Sequence, residues 1–286
     1  PKIMPRQPGR PSAGSRAAAE STKEGRHQPS SQGHEVRRKA PSAGKMQQLN
    51  VNKARMRLQA IAAASNVSGQ TMSAAFVLLS GALNPVHQAH LQALEAARQA
   101  IESRTGVPVF AGFLSPSSDT YVQGKLESEA MALTERSLLC ELATEETEWI
   151  DVCRWGWASS AQTTAAIGQQ LETALAWTGG VRWKLVGWQV AGADFAARAS
   201  LWRKPTPTVC ISRGGEDTAL VKASAQEVPG SFLIVDATDL EDVSSTAVRS
   251  LAAEGAWETL AANGWLAPAV LQRLRGEAAP PTDDDA

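Results

Sequence analysis

Cysteine, histidine and long apolar runs are all scarce in this 286-residue chain, and each scarcity excludes something. The three cysteines, Cys140, Cys153 and Cys210, are widely spaced and form no CxxC pair. They argue against a disulfide framework and for a reducing compartment, so the protein is expected inside the cell, with cytoplasm, nucleus and organelle left open. Only four histidines accompany them, which argues against a zinc site. No apolar run approaches the roughly 20 residues of a membrane-crossing helix, so no membrane partner is expected.

The net charge of −1 hides two unlike parts. Residues 1–60 carry 13 Lys/Arg against 3 Glu, whereas residues 61–286 carry 15 against 26 Asp/Glu. The first stretch is Pro, Ser, Gly, Ala and Arg with almost no large apolar side chains. It cannot bury enough surface to offset chain entropy, and residues 1–45 read as a disordered basic segment. A solvated tail and an organelle-targeting segment both fit that composition. Position 1 is Pro, so the true start is expected to lie upstream. Residues 46–71 read as a lead-in helix and linker, with Met46, Leu49 and Met56 as a loose apolar stripe. The end, 277–286, reads as an acidic disordered tail.

From residue 72 apolar runs of strand length alternate with helical stretches. Strands are predicted at 75–80, 107–115, 149–153, 183–192, 208–212 and 232–237, and helices at 88–103, 132–144, 160–177 and from 244. Apolar strands alternating with helices predict an α/β domain over 72–276: a doubly wound, Rossmann-like parallel sheet with helices on both faces. In such a sheet the ligand site lies at the carboxyl ends of the strands.

The two histidines of this domain, His87 and His90, follow the first strand in "FVLLSGALNPVHQAH". Gly81 is expected to allow a tight exit from the strand and Pro85 to open the helix. Free N–H groups at that helix start would favour an anion, and residues three apart share a helix face. His87 and His90 could then both donate to one polyphosphate. Transfer at phosphorus needs positioning and charge neutralisation more than it needs a nucleophile.

Two signatures give this reading a family. "GALNPVHQAH" resembles the G-x-F-x-P-x-[HT]-x-x-H motif of the nucleotidyltransferase superfamily, and "DVSSTAVRS" resembles its I-S-S-T-x-x-R motif. Between and beyond them, "SPSSDTY", "CELATEETEWIDVCRW", "GADFAARASLWRK", "VCISRGGED" and "WLAPAVLQRLR" are similar to segments of nicotinamide/nicotinate mononucleotide adenylyltransferases. The resemblance covers about residues 74–276. It implies transfer of AMP from ATP to a mononucleotide, giving NAD and pyrophosphate, with Mg²⁺ carried on the phosphates and no protein-held metal. ATP and a phosphorylated small-molecule acceptor are the implied partners.

The resemblance assigns His87, His90 and Arg249 to catalysis. It assigns Gly81, Ala82, Leu83, Gly192, Asp194, Arg213, Ser244, Ser245 and Thr246 to ATP. Ser115, Lys125, Trp155, Trp157, Thr163 and Trp202 fall on the acceptor side. Plainer roles stand beside these. Ser245 and Thr246 fit a helix cap, Asp194 fits another, Arg249 fits a surface pair with Glu254, and most of nine tryptophans fit the core.

The departures cluster on the acceptor side. A single lysine, Lys125, stands where the family runs several, Glu135-Arg136 replaces a His-Arg pair, and "DVCRWGW" is longer than Asp-x-Trp. A different phosphorylated acceptor, CTP in place of ATP, and a catalytically silent nucleotide-binding protein of the same fold therefore stay open. So does self-association of the basic tail with the acidic core, whereas nucleic acid binding by the tail is the least favoured reading.

Overall fold

In the computed structural model, which describes residues 47–65, 69–225, 231–237 and 243–277, the sheet is built around its first strand. β1 (Thr71–Gly81) pairs in parallel with β2 (Val109–Pro116) on one side. Beyond β2 lies β3 (Ile150–Val152), also parallel. On the other side of β1 stands β5 (Val181–Gly192), followed by β6 (Thr208–Ser212) and β7 (Phe232–Asp236), all parallel. A two-residue strand, β4 (Trp177–Thr178), makes an antiparallel hairpin with β5. The order β3-β2-β1-β5-β6-β7 reverses direction at β1. The carboxyl ends of β1 and β5 therefore flank the topological switch point, where doubly wound sheets bind ligands.

Alternation along β1 divides the core. Ala75 and Val77 face one layer, with Leu94 and Ile101 of α2 (Gln88–Thr105) and Leu139 of α4 (Leu133–Thr144). Ala74, Phe76 and Leu78 face the other, with Leu58 of α1 (Asn52–Ser65) and Ile167, Leu171 and Leu175 of α5 (Ser160–Leu175). Successive strand residues point to opposite faces, so one apolar run supplies both layers. All eight residues of β2 are buried, as a strand covered on both faces requires. Phe76 packs edge-on against Phe110 and Phe113, with ring centroids 6.5 and 6.2 Å apart. A Cβ on Gly187 would lie 2.5 Å from Phe76 Cζ and 2.6 Å from Thr164 Cγ2, so only glycine lets α5 close onto this part of β5.

Of the expected apolar stripe of the lead-in helix, Leu49 packs against the core just ahead of α1. Met46 lies outside the described residues and Met56 is 64% exposed. Ala54, Leu58 and Ala62, four apart, form the buried face instead, and the small alanines bring the helix close to the sheet. The helices α3 (Asp119–Leu126), α6 (Ala193–Ala199), α7 (Glu216–Ala225), α9 (Trp257–Asn263) and α10 (Pro268–Arg275) are further elements that the periodicity did not mark. The basic segment 1–45 and the acidic tail from 278 on lie outside the described residues.

Candidate functional site at the switch point

The exit from β1 differs from the expectation built on Gly81. Gly81 is not among the residues with positive φ, and the left-handed residue is Leu83, at φ 46° and 2% exposed. Such a conformation costs a leucine about 1–3 kcal/mol and persists only where the surroundings fix it. Pro85 does not open the helix either. It follows a cis peptide bond two residues before His87, which is the N-cap of α2.

That cap brings the two histidines together. The backbone N–H of His87 donates to Nδ1 of His90 at 3.1 Å, so neutral His90 carries its proton on Nε2. The rings stack with centroids 3.7 Å apart and planes 30° apart. They meet through this capping contact rather than by sharing an exposed helix face. Burial pushes the His87 imidazole down to about 4, with the charge of Arg213 adding to the effect. Burial likewise holds His90 well below the usual imidazole range, followed by His87 and Arg213. Both rings are therefore neutral near pH 7. His87 Nδ1 is buried without a hydrogen-bond partner among the described residues. A polar atom that folding leaves unsatisfied at a helix start is a natural contact for a ligand.

The expected open helix start is partly closed. The N–H of Gln88 donates to the Trp265 carbonyl at 2.8 Å, and that of His87 is taken by His90. Two of the N–H donors at that start are therefore already taken.

The second motif joins the first. α8 (Ser245–Ala253) is capped by Ser244, whose Oγ accepts from the Ala247 N–H at 3.1 Å. Ser245 Oγ donates to the Pro85 carbonyl at 2.8 Å. Arg249 does not pair with Glu254. Its Nη1 donates to the Asn84 carbonyl at 2.9 Å, its Nε to Glu129 Oε2 at 2.7 Å, and its Nη2 reaches Thr246 Oγ1 at 3.4 Å. The motif separated from His87 by some 160 residues thus lands on the same loop.

Two residues that the sequence reading did not assign to the site, Arg136 and Asn84, hold this loop in place. Arg136 is fully buried, and its guanidinium donates to the Ala82 carbonyl (2.9 Å), the Met131 carbonyl (2.9 Å) and Asp119 Oδ1 (3.0 Å). Asn84, also fully buried, donates to the Glu129 carbonyl at 2.9 Å and accepts from the Met131 N–H at 2.8 Å. The segment 127–131 is thereby strapped across the β1–α2 loop. A sequence signal for Arg136 exists, since it falls three and four residues before Leu139 and Cys140 on the buried stripe of α4. Its neighbour Glu135 pairs instead with Arg273 of α10, through two contacts of 2.9 Å.

The remaining ATP-side residues frame the far side of the switch point. Gly192 is the N-cap of α6, and Asp194 is exposed in the first turn, where the helix dipole favours a carboxylate. Arg213 follows β6, is exposed, and reaches the Val243 carbonyl at 3.4 Å.

The acceptor-side residues are not brought together in this way. Trp155 donates Nε1–H to the Gln47 carbonyl at 2.8 Å and leans on Trp157, with centroids 5.1 Å apart. Trp155 lines a cavity of about 660 Å³ along the β3 edge, with Lys53, Asp151 and residues of α4. Trp202 is 6% exposed and packs edge-on against Phe232 of β7, at the other end of the strand order. Thr163 is fully buried and donates to the Ser159 carbonyl. Ser115 is fully buried at the end of β2, and Lys125 is exposed in the last turn of α3.

Residues 78–251, which span both motifs, match the profile of the family described as cytidylyltransferase-like. The chain belongs to the cytidylyltransferase-like family. Nicotinamide/nicotinic acid mononucleotide adenylyltransferase of Oryza sativa subsp. japonica is 26% identical over 197 residues, covering 63% of this chain and 77% of that one. The corresponding adenylyltransferase 2 of Rattus norvegicus is 30% identical over 98 residues, 34% of this chain and 31% of that one. Among solved structures, Plasmodium falciparum nicotinic acid mononucleotide adenylyltransferase complexed with NaAD matches 71% of this chain and 95% of that one, at 9% identity and a TM-score of 0.43. For a cytidylyltransferase-like protein, the residues that converge at the switch point of this chain are those of the two motifs.

Proposed function

We propose that this protein is a nucleotidyltransferase that transfers AMP from ATP to nicotinamide or nicotinate mononucleotide, forming a dinucleotide and pyrophosphate. The observation that carries this reading is the stacked, neutral pair His87–His90, with Arg213 close enough to depress both imidazoles and Arg249 bound to the Asn84 carbonyl of the same loop. The acceptor phosphate oxygen attacks the α-phosphorus of ATP, and the bond to the bridging oxygen of the leaving pyrophosphate breaks. Such a transfer needs the phosphates held in line and their growing charge matched. His90 Nε2–H and the unsatisfied His87 ring supply directional contacts, and the two guanidinium groups supply charge. Among the described residues no group of three His, Cys, Asp or Glu side chains could hold a metal ion. Mg²⁺ carried on the triphosphate would neutralise phosphate charge there. Asp194 at the start of α6 suits a ribose hydroxyl.

A second reading, transfer to a different phosphorylated acceptor, is favoured by one group of observations. Trp202, Thr163 and Trp155 are respectively packed in the core, fully buried and tied to Gln47. Initial rates of pyrophosphate release by the full chain, with Mg²⁺, ATP or CTP, and a panel of phosphorylated acceptors, separate the two. Dinucleotide formed with nicotinamide or nicotinate mononucleotide supports the first reading. Release with another acceptor alone supports the second, and no release with any acceptor contradicts both.

A further inference from the structure

We infer that Glu129 is a resident competitor for phosphate at Arg249: its carboxylate holds the guanidinium and must be displaced when a phosphate binds. This rests on the reading of the site as a polyphosphate site.

The geometry separates the fixed partners of Arg249 from the exchangeable one. The Asn84 carbonyl is backbone, in a loop fixed by Arg136 and by the Asn84 side chain itself. Thr246 Oγ1, at 3.4 Å, is at the edge of hydrogen-bond range. Glu129 makes the short contact, 2.7 Å from Nε, and that contact is charge-assisted. The two side chains differ in their surroundings. Arg249 is 13% exposed, whereas the Glu129 carboxylate is 60% exposed and free to swing into water. Such a group leaves at little cost in solvation, while the guanidinium stays put.

The backbone of Glu129 is not free. Its carbonyl accepts from Asn84 Nδ2 at 2.9 Å, within the strap that Met131 continues. A carboxylate tethered this closely competes as an intramolecular ligand, at an effective concentration set by its tether. It would screen Arg249 from stray anions and leave a polyphosphate, with several anchoring points, able to displace it. It would also return to Arg249 when pyrophosphate departs, which favours release of that product.

The test is calorimetric titration of the full chain with inorganic pyrophosphate, with and without Mg²⁺, for wild type, Glu129→Gln, Arg249→Gln and the double variant. Glutamine keeps the size and the backbone contacts and removes the charge. The inference expects Glu129→Gln to bind pyrophosphate about tenfold more tightly than wild type, the difference between a charge-assisted and a neutral competitor. It expects no such gain in the Arg249→Gln background. A purely structural ion pair would leave affinity unchanged or weaken it, and either result overturns the role given to Glu129. Weakening seen only with Mg²⁺ would make Glu129 a metal ligand and overturn it too. If wild type and Glu129→Gln both fail to bind pyrophosphate, the polyphosphate reading itself falls, a result distinct from wild-type binding that Glu129→Gln leaves unimproved.

Discussion

The two ends of the candidate site are built differently. At the phosphate end, the β1–α2 loop, the strap 127–131 and the start of α8 are cross-linked by short contacts through Asn84, Arg136, Ser245 and Arg249. At the acceptor side, Trp155, Lys125, Thr163 and Trp202 sit on four separate elements, and each has its own local packing or partner or faces water. Triphosphate recognition needs fixed charges and directional donors around one compact group, which a braced loop supplies. A site for a variable acceptor can be assembled from side chains that move, and it can change without disturbing the phosphate loop.

The largest expected effect breaks the phosphate end. Replacing His87 and His90 together by alanine should reduce kcat by at least about 10²–10³, as loss of transition-state donors does elsewhere. Pyrophosphate release measures it, and circular dichroism checks that the fold is kept.

Next comes the brace. Arg136→Leu leaves the Ala82 and Met131 carbonyls and Asp119 without their donor, in a place where the guanidinium is fully buried. Breaking a buried ion pair typically costs about 3–5 kcal/mol. Asp119 is half exposed, so the low end, near 3 kcal/mol, is expected in urea unfolding.

A comparable effect should appear with pH alone. The folded His87 titrates at about 4, below the ordinary value of 6.5. The unfolded chain therefore binds the proton more readily through that window. Stability should be fully present above pH 6.5 and fall as pH drops toward 4, by about 3 kcal/mol in all. Unfolding titrations of wild type and His87→Ala across this range should show a flatter slope in the variant.

The smallest effect is expected at the β3 edge. Trp155→Phe removes one hydrogen bond to Gln47 and should cost about 1 kcal/mol.

These contrasts also explain what the sequence could reveal. The strands of the doubly wound sheet were legible because β2 is buried throughout and β1 carries a buried apolar run at its centre, as burial on both faces demands. α3 and α7 were not, since each buries only one or two side chains, Val122 in α3 and Thr218 and Val221 in α7. His87 and His90 were legible because they are three residues apart in one motif. The contacts Glu129–Arg249 and Ala82–Arg136 span 120 and 54 residues, and no local pattern links such partners. Gly81 and Pro85 are the local turn signals, yet Leu83 carries the left-handed conformation and His87 the cap. The loop geometry is imposed by buried polar partners from elsewhere in the chain, which overrides local propensity.

The measurement that bears most directly on this account compares the two ends in one assay. Pyrophosphate release from ATP and Mg²⁺ would be followed at varied acceptor concentration, for wild type, the His87→Ala/His90→Ala double variant and Lys125→Ala. The account predicts that the histidine variant loses kcat with every acceptor, whereas Lys125→Ala keeps kcat and raises only the KM for acceptor. A histidine variant that retains the wild-type rate would contradict it.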